Sequence, residues 1–490
     1  MKRFFSDFSA VLRRPLRWFA RSEFTAPGGY RELWRIACPL ILMNASFTVM
    51  QLADRIFLAR HSTLEMSAAP VAGILFFGMI CLATVTINFT GSVIAQLFGA
   101  EDRRGCVEAA WSGVFAGLLA GAVMGVLVPF LGCRILRDCY RHAPELMELE
   151  VLYFLTLTPC AVLQCVMPPL FSFFSGRGET LRVAVVNVIA CAVNIVLDYG
   201  MIFGGFGFPA MGIKGAGIAT SLSVGSAFLM ILGSFLFCDQ SVYRTRRWIC
   251  FKFEYVRKLL AFGVPGGLQV FFSLMSFNVV LAVIGRIGKE SLAASMIALS
   301  INNIVFMPLL GISDAASIMV GQLVGANRKK TAALSAYRCW RMALLYMGCC
   351  AVLYLGFPEV LAALFSPRTA ESREAFEAVA ETVCVLLIFA TCFGFCDATI
   401  QTFSGALRGA GDTRAVFLIS TACTMLIQAL GALVMFRLHA KVEAIWGLMV
   451  VYLAVEAAAI LWRFRSGAWR KIRLIAGHEK PLPPGESAEI

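Results

Sequence analysis

The chain predicts an all-α membrane protein of twelve helices, built as two parallel six-helix repeats. Three observations carry that reading. Hydrophobic residues fill 59% of 490 positions, charged residues only 15%, and mean hydropathy is +0.77. A soluble domain lies nearer ~45–50% apolar and ~25% charged. Apolar runs long enough to cross a ~30 Å hydrocarbon core as helices recur along the whole length, with none of the alternating pattern of a transmembrane β-barrel. Finally, one passage is written twice, 226 residues apart: Pro39, Arg60, Ala68, Ala72, Gln96, Leu97, Gly99 and Ala100 return as Pro265, Arg286, Ala294, Ala298, Gln322, Leu323, Gly325 and Ala326. Gly176-Arg177-Gly178-Glu179-Thr180 returns as Gly409-Ala410-Gly411-Asp412-Thr413, at an offset of 233. Such duplication is the signature of a two-lobed transporter with its path between the lobes.

The hydropathy places spans 1–6 at 34–58, 68–97, 106–132, 149–173, 183–203 and 215–237. Spans 7–12 fall at 257–285, 291–323, 332–357, 379–406, 415–437 and 445–463. Pro39, Pro159, Pro265 and Pro308 are expected kink sites, because each removes a helical hydrogen bond. The chain divides into a basic amphipathic tail (1–30), an N-lobe (31–237), a linker (238–256), a C-lobe (257–463) and a C-terminal tail (464–490). In the first tail Phe4, Phe5, Phe8, Leu12, Leu16 and Phe19 can share one face of an interfacial helix, with Arg13, Arg14 and Arg17 beside it and Pro15 as a breaker. The other reading is a solvated basic tail.

Twelve spans put both ends on one side. Making that side cytoplasmic gives it 31 of the 43 Lys and Arg residues, against 12 outside, as the positive-inside rule requires. This predicts a multi-pass protein of a plasma membrane or bacterial inner membrane. The net charge of +13 therefore points to lipid rather than nucleic acid. The 17 cysteines are scattered without a CxxC pair or a Cys/His cluster, so they read as apolar packing residues. No enzyme chemistry is visible, because neither a nucleophile–base pair nor a metal-ligand set can be found. No phosphate-binding loop is expected either, since no Gly-Lys-Ser/Thr follows the Gly-rich turns. Those turns, and Gln96 and Gln322 before their Gly-Ala pairs, read as helix ends.

Function is sought where the repeats differ. Asp54 in span 1 faces Val280 in the other copy, Asp198 in span 5 has no acidic counterpart near Gly431, and Asp397 in span 10 matches Gln164. An acid in hydrocarbon costs ~2.5–3.5 kcal/mol, so it needs a partner, a cation or a proton. Asn194 and Asp198 are four residues apart and share a helix face. They meet Asp54 if spans 1 and 5 pack together. Against a functional role stand a pairing of Asp54 with Arg55 or Arg60, and a helix-end position for Asp198. Asp314, whose repeat partner is Asn88, and Glu456 are further apolar-flanked acids. Asn44, Gln51, Asn278, Asn302 and Asn303 line a cleft or make interhelical hydrogen bonds.

These residues stand in stretches that resemble the multidrug and toxic compound extrusion (MATE) family over roughly 31–465. The stretches are PLILMNASFTVMQLADRIFLAR, AQLFGAEDRR, SGRGETLRVAVVNVIACAVNIVLDYGMIFGGFGFPAMGIKGAGIAT, GQLVGANRKK and LRGAGDTR. The resemblance implies a V-shaped bundle that exports small organic, often cationic, compounds in exchange for protons or sodium, as a monomer and without a cofactor or any metal other than sodium. It implies a cation site of Asp54, Asn194, Asp198 and Thr220, with the Ala216 carbonyl as a further ligand. It also implies hinges at Pro39 and Pro265, and a substrate or second cation site in the C-lobe around Asp397, Asp314, Ser273 and Gln269. One branch of the family carries a Glu on span 7 where this chain has Ser273. The rival reading is a lipid-linked oligosaccharide flippase of the wider exporter superfamily, whose cleft needs arginines for a pyrophosphate. A membrane scaffold or receptor would have no use for buried acids that break the repeat.

Overall fold

A computed structural model of the chain describes residues 21–140, 142–237, 240–365, 370–438, 441–472 and 474–475. The tail helix expected within 1–24 lies almost wholly outside the described residues. Among them the architecture is all-helical, as predicted. Spans 1–6 are Tyr30–His61, Thr63–Gly99 (broken at Phe89), Arg103–Ile135, Pro144–Ser175, Thr180–Phe203 and Ile213–Phe237. Spans 7–12 are Val264–Ile287, Lys289–Gly325, Lys329–Gly356, Ala370–Ala410, Thr413–Leu438 and Val442–Arg465. Eleven of these segments are long and apolar enough to cross a membrane, and span 11 is apolar over Thr413–Ile427. Large side chains such as Val126 and Trp462 stand about 70% exposed on the outer faces, where lipid rather than water is their solvent.

The sequence repeat is also a packing repeat. Span 2 packs on span 4, span 4 on span 6, span 5 on span 6 and span 1 on span 5; the same four contacts recur six spans later. Two contacts exchange partners: span 1 crosses to span 8, and span 7 crosses to span 2. Accordingly Tyr30, Leu33, Ile36 and Leu40 of span 1 are buried among Ile312, Met319 and Met342 of spans 8 and 9. The linker is no free joint. The Trp111 indole donates to the Thr245 carbonyl at 2.8 Å, and the Lys252 amide to Ser112 Oγ at 3.0 Å. Lys252 Nζ also pairs with the buried Glu108 at 2.5 Å. Tyr243 lies under the Arg177 guanidinium, 4.1 Å from its ring centre. Burial of the Tyr243 phenol raises its pKa, and the Arg177 charge works against that shift.

The repeated glycine motifs end helices, as their composition predicts. Four turns use the same pair of backbone bonds, closing a helix with a left-handed residue. The amides of Asp102, Glu179, Arg328 and Asp412 reach back to the carbonyls of Leu97, Phe174, Leu323 and Leu407 at 2.8–2.9 Å. The left-handed positions are Glu101 (φ 61°), Gly178 (82°), Asn327 (58°) and Gly411 (93°). This explains the second glycine of each Gly-x-Gly: a side chain there crowds its own backbone.

The prolines act differently in the two copies. Pro39 lies inside span 1, so the Arg35 carbonyl loses its helical donor. The buried Thr180 hydroxyl, at the head of span 5, donates to the Ile36 carbonyl at 3.1 Å and reaches the Arg35 carbonyl at 3.5 Å. Pro265 instead follows a π-helical turn, Leu259–Gly263, which widens the helix ahead of it. Its repeat threonine, Thr413, is buried with its hydroxyl unpaired. Pro159 and Pro308 stay within continuous helices, and the break in span 2 falls at Phe89, where there is no proline. Thr180→Val should therefore destabilise the protein by ~0.5–1.5 kcal/mol, the net worth of the hydrogen bond it loses. Thr413→Val should be neutral or stabilising. Equal losses of thermal stability in detergent for both variants would refute this assignment.

Candidate functional site

Span 1 packs along span 5, and this contact assembles the first site. Asp198 and Asn194 are both fully buried on the inner face of span 5. The Asp54 carboxyl, half-buried on span 1, stands against that of Asp198. Asp54 thus meets another acid, and the Arg55 charge also acts on it. Asp54 Oδ1, Asn194 Oδ1 and both Asp198 carboxylate oxygens are buried without a hydrogen bond of ordinary geometry. A buried acceptor without a donor is costly, and two ionised carboxylates in contact repel each other. Such a pair is eased by a proton or a cation.

Span 6 closes the nest. The Thr220 hydroxyl donates to the Ala216 carbonyl at 3.0 Å, one turn back on the same helix. Thr220 also faces the phenol of Tyr153, a buried span 4 residue close enough to both aspartates to feel their charge. Sequence reasoning missed Tyr153, since one tyrosine in an apolar run carries no local signal. Gly217 permits the approach of span 6: a methyl group there would fall 1.8 Å from Thr156 Oγ1. The residues present fit a proton or a hard cation, since every free atom but the Asn194 amide nitrogen is an oxygen.

In the second half the acids separate into two places. Asp397 and Glu456, on spans 10 and 12, are both buried and lie near each other. Gln401 Nε2 donates to Asp397 Oδ1 at 3.2 Å. Glu456 is flanked by Ser420 and Tyr452. Gln269 of span 7 donates to Ser420 Oγ at 3.1 Å, which ties it to this group. Ser273, one turn further along span 7, is exposed. Asp314 stands apart from Asp397. It is exposed on span 8, and the Arg408 charge acts on it. Arg408 also donates to Ser313 Oγ at 3.2 Å. Asn88, the repeat partner of Asp314, is likewise exposed. Among the described residues no group of three or more His, Cys, Asp and Glu side chains has metal-site geometry.

A family model described as MatE matches the chain twice, over residues 39–200 and 265–434. The chain belongs to the MatE family. The two matches begin at Pro39 and Pro265, so each MatE unit is one copy of the repeat. Among curated relatives, the multidrug resistance protein PmpM of Pseudomonas aeruginosa is 30% identical, covering 90% of this chain and 92% of its own. The probable multidrug resistance protein NorM of Thermotoga maritima is 26% identical, covering 90% and 93%. A solved structure described as the outward-facing conformation of a multidrug resistance MATE family transporter superposes with a TM-score of 0.80 at 21% identity, covering 92% of this chain and 98% of that one. A MOP superfamily transporter from Pyrococcus furiosus gives a TM-score of 0.82 at 21% identity, covering 92% and 98%. These superpositions concern the MatE fold.

Proposed function

We propose that the protein is a multidrug exporter of a bacterial inner membrane. It exchanges small organic, often cationic, compounds for protons or sodium by alternating access. The observation that carries this reading is the buried nest of Asp54, Asn194 and Asp198, whose oxygens lack donors. The curated relatives named as multidrug resistance proteins supply the substrate class. A proton or sodium ion reaching the nest from outside neutralises one charge of the carboxyl pair. The same neutralisation weakens the attraction for a bound cationic drug, which leaves. Loss of the ion to the cytoplasm restores the charge and the affinity. One charge moving through ~100 mV supplies ~2.3 kcal/mol, enough for a roughly fiftyfold gradient at ~1.4 kcal/mol per tenfold. Both termini lie in the cytoplasm in this scheme, in keeping with the positive charge on that side. Asp397, Glu456 and Gln269 form a second polar site, for substrate or a further cation.

The test is ethidium transport by purified protein in proteoliposomes, with proton and sodium gradients imposed separately. Transport driven by one gradient is expected and names the ion. Failure of both gradients to drive ethidium or a panel of other organic cations would refute the proposal.

A further inference from the structure

The duplicated Gln-x-x-Gly-Ala motifs have a geometry that the carboxyl nest does not use. Gln96 is 1% exposed. Its Nε2 donates across the molecule to the Gly409 carbonyl, at 2.8 Å. Gln322, its repeat partner, donates to the Gly176 carbonyl, also at 2.8 Å. Both acceptors lie where a helix ends and its carbonyls run out of internal donors. Each half therefore caps a helix of the other. Between the two clasps the backbones of spans 2 and 8 touch. A methyl group on Gly99 would fall 1.9 Å from the Gln322 carbonyl oxygen, and one on Gly325 1.9 Å from the Gln96 carbonyl oxygen. Both termini of the described chain lie at this end: Gly28 abuts Leu323, and Gly411 abuts Ile472 and Leu474.

We propose that the paired glutamine clasps are the latch of a gate at the terminus-bearing face. This inference rests on the alternating-access reading above. The clasp exists only while spans 2 and 8 touch, so opening the cleft to this face must break both bonds together. On release the Gln side chains and the glycine carbonyls are hydrated, which makes opening reversible. An uncharged amide holds the latch without responding to pH or to the coupling ion. The coupling ion then acts at the carboxyl groups rather than at the latch.

Gly321 offers a lock, because a methyl group there would lie 2.9 Å from Ala95 Cβ. A disulfide needs ~3.5–4.5 Å between Cβ atoms, within reach of a small shift. The full chain carrying Ala95→Cys and Gly321→Cys is reconstituted and oxidised, with the cross-link verified by mass spectrometry. Ethidium transport should fall at least tenfold and return on reduction, while each single variant is insensitive to the oxidant. A verified cross-link that leaves transport intact overturns the gate. Hydrogen exchange gives a readout that needs neither substrate nor disulfide. Gln96→Ala with Gln322→Ala should speed exchange of segments 97–102 and 323–328 roughly tenfold, and Gln96→Ala alone should affect both turns. Unchanged exchange, or a response confined to the mutated half, overturns the latch. If the wild type carries no organic cation, the transport reading fails and exchange alone decides the gate.

Discussion

Asp54→Asn is expected to abolish gradient-driven export, lowering ethidium transport at least tenfold while the protein still folds. The side chain is nearly unchanged in size, so spans 1 and 5 should still pack. What changes is the charge balance. The wild-type nest places two carboxyls in contact, with the Asn194 amide as the donor group beside Asp198, so the pair gains from a proton or sodium ion. With an amide at position 54, one carboxyl remains and the amide N–H₂ supplies it with a donor. The nest is then satisfied without the ion, and the ion gradient has nothing to act on. Asp198→Asn should behave alike. The double variant should be no worse than either single, because residues acting as one unit are not additive. The check is transport under each imposed gradient for the three variants. Retained coupling in Asp54→Asn would dismiss this nest and shift attention to Asp397 and Glu456.

Gly325→Ala, like its repeat counterpart Gly99→Ala, is expected to give a large loss of stability for a single added methyl. The added carbon would overlap the Gln96 carbonyl oxygen at 1.9 Å, and the Gln96 carbonyl carbon and Cα lie within 2.7 Å. These are backbone atoms of the opposing helix, so no rotamer change relieves the overlap. Spans 2 and 8 must move apart, which also pulls Gln322 from the Gly176 carbonyl. Overpacking of this kind costs ~1–3 kcal/mol or more. Gly348 supplies the comparison: it lies within span 9, and a methyl there meets nothing within 4 Å. Gly348→Ala should hold or raise stability, since Ala favours a helix by ~1 kcal/mol over Gly. Thermal unfolding in detergent distinguishes the two. A Gly325→Ala protein as stable as Gly348→Ala would contradict the close approach of the repeats.

The helical membrane class, the twelve spans, the internal repeat and the turns that end helices are legible in the residues alone. Each depends on a local property: the transfer free energy of an apolar run, or the need for a left-handed residue at a helix end. Asn194 and Asp198 were legible as one face because 3.6 residues per turn puts i and i+4 together. Their meeting with Asp54 was legible only as a condition on packing. Tertiary structure alone decided that span 1 lies on span 5 and reaches across to span 8, that Tyr153 joins the nest, and that the charge acting on Asp314 is that of Arg408 rather than Asp397. It also decided that Glu456 stands by Asp397, that the Thr180 hydroxyl bonds the span 1 backbone just ahead of Pro39, and that the two glutamines exchange acceptors between the halves. The physical reason is common to all of these. Apolar helices in lipid associate through close packing of small residues and single interhelical hydrogen bonds, and such contacts join residues as distant as Gln96 and Gly409, 313 positions apart, without leaving a periodic trace in either segment.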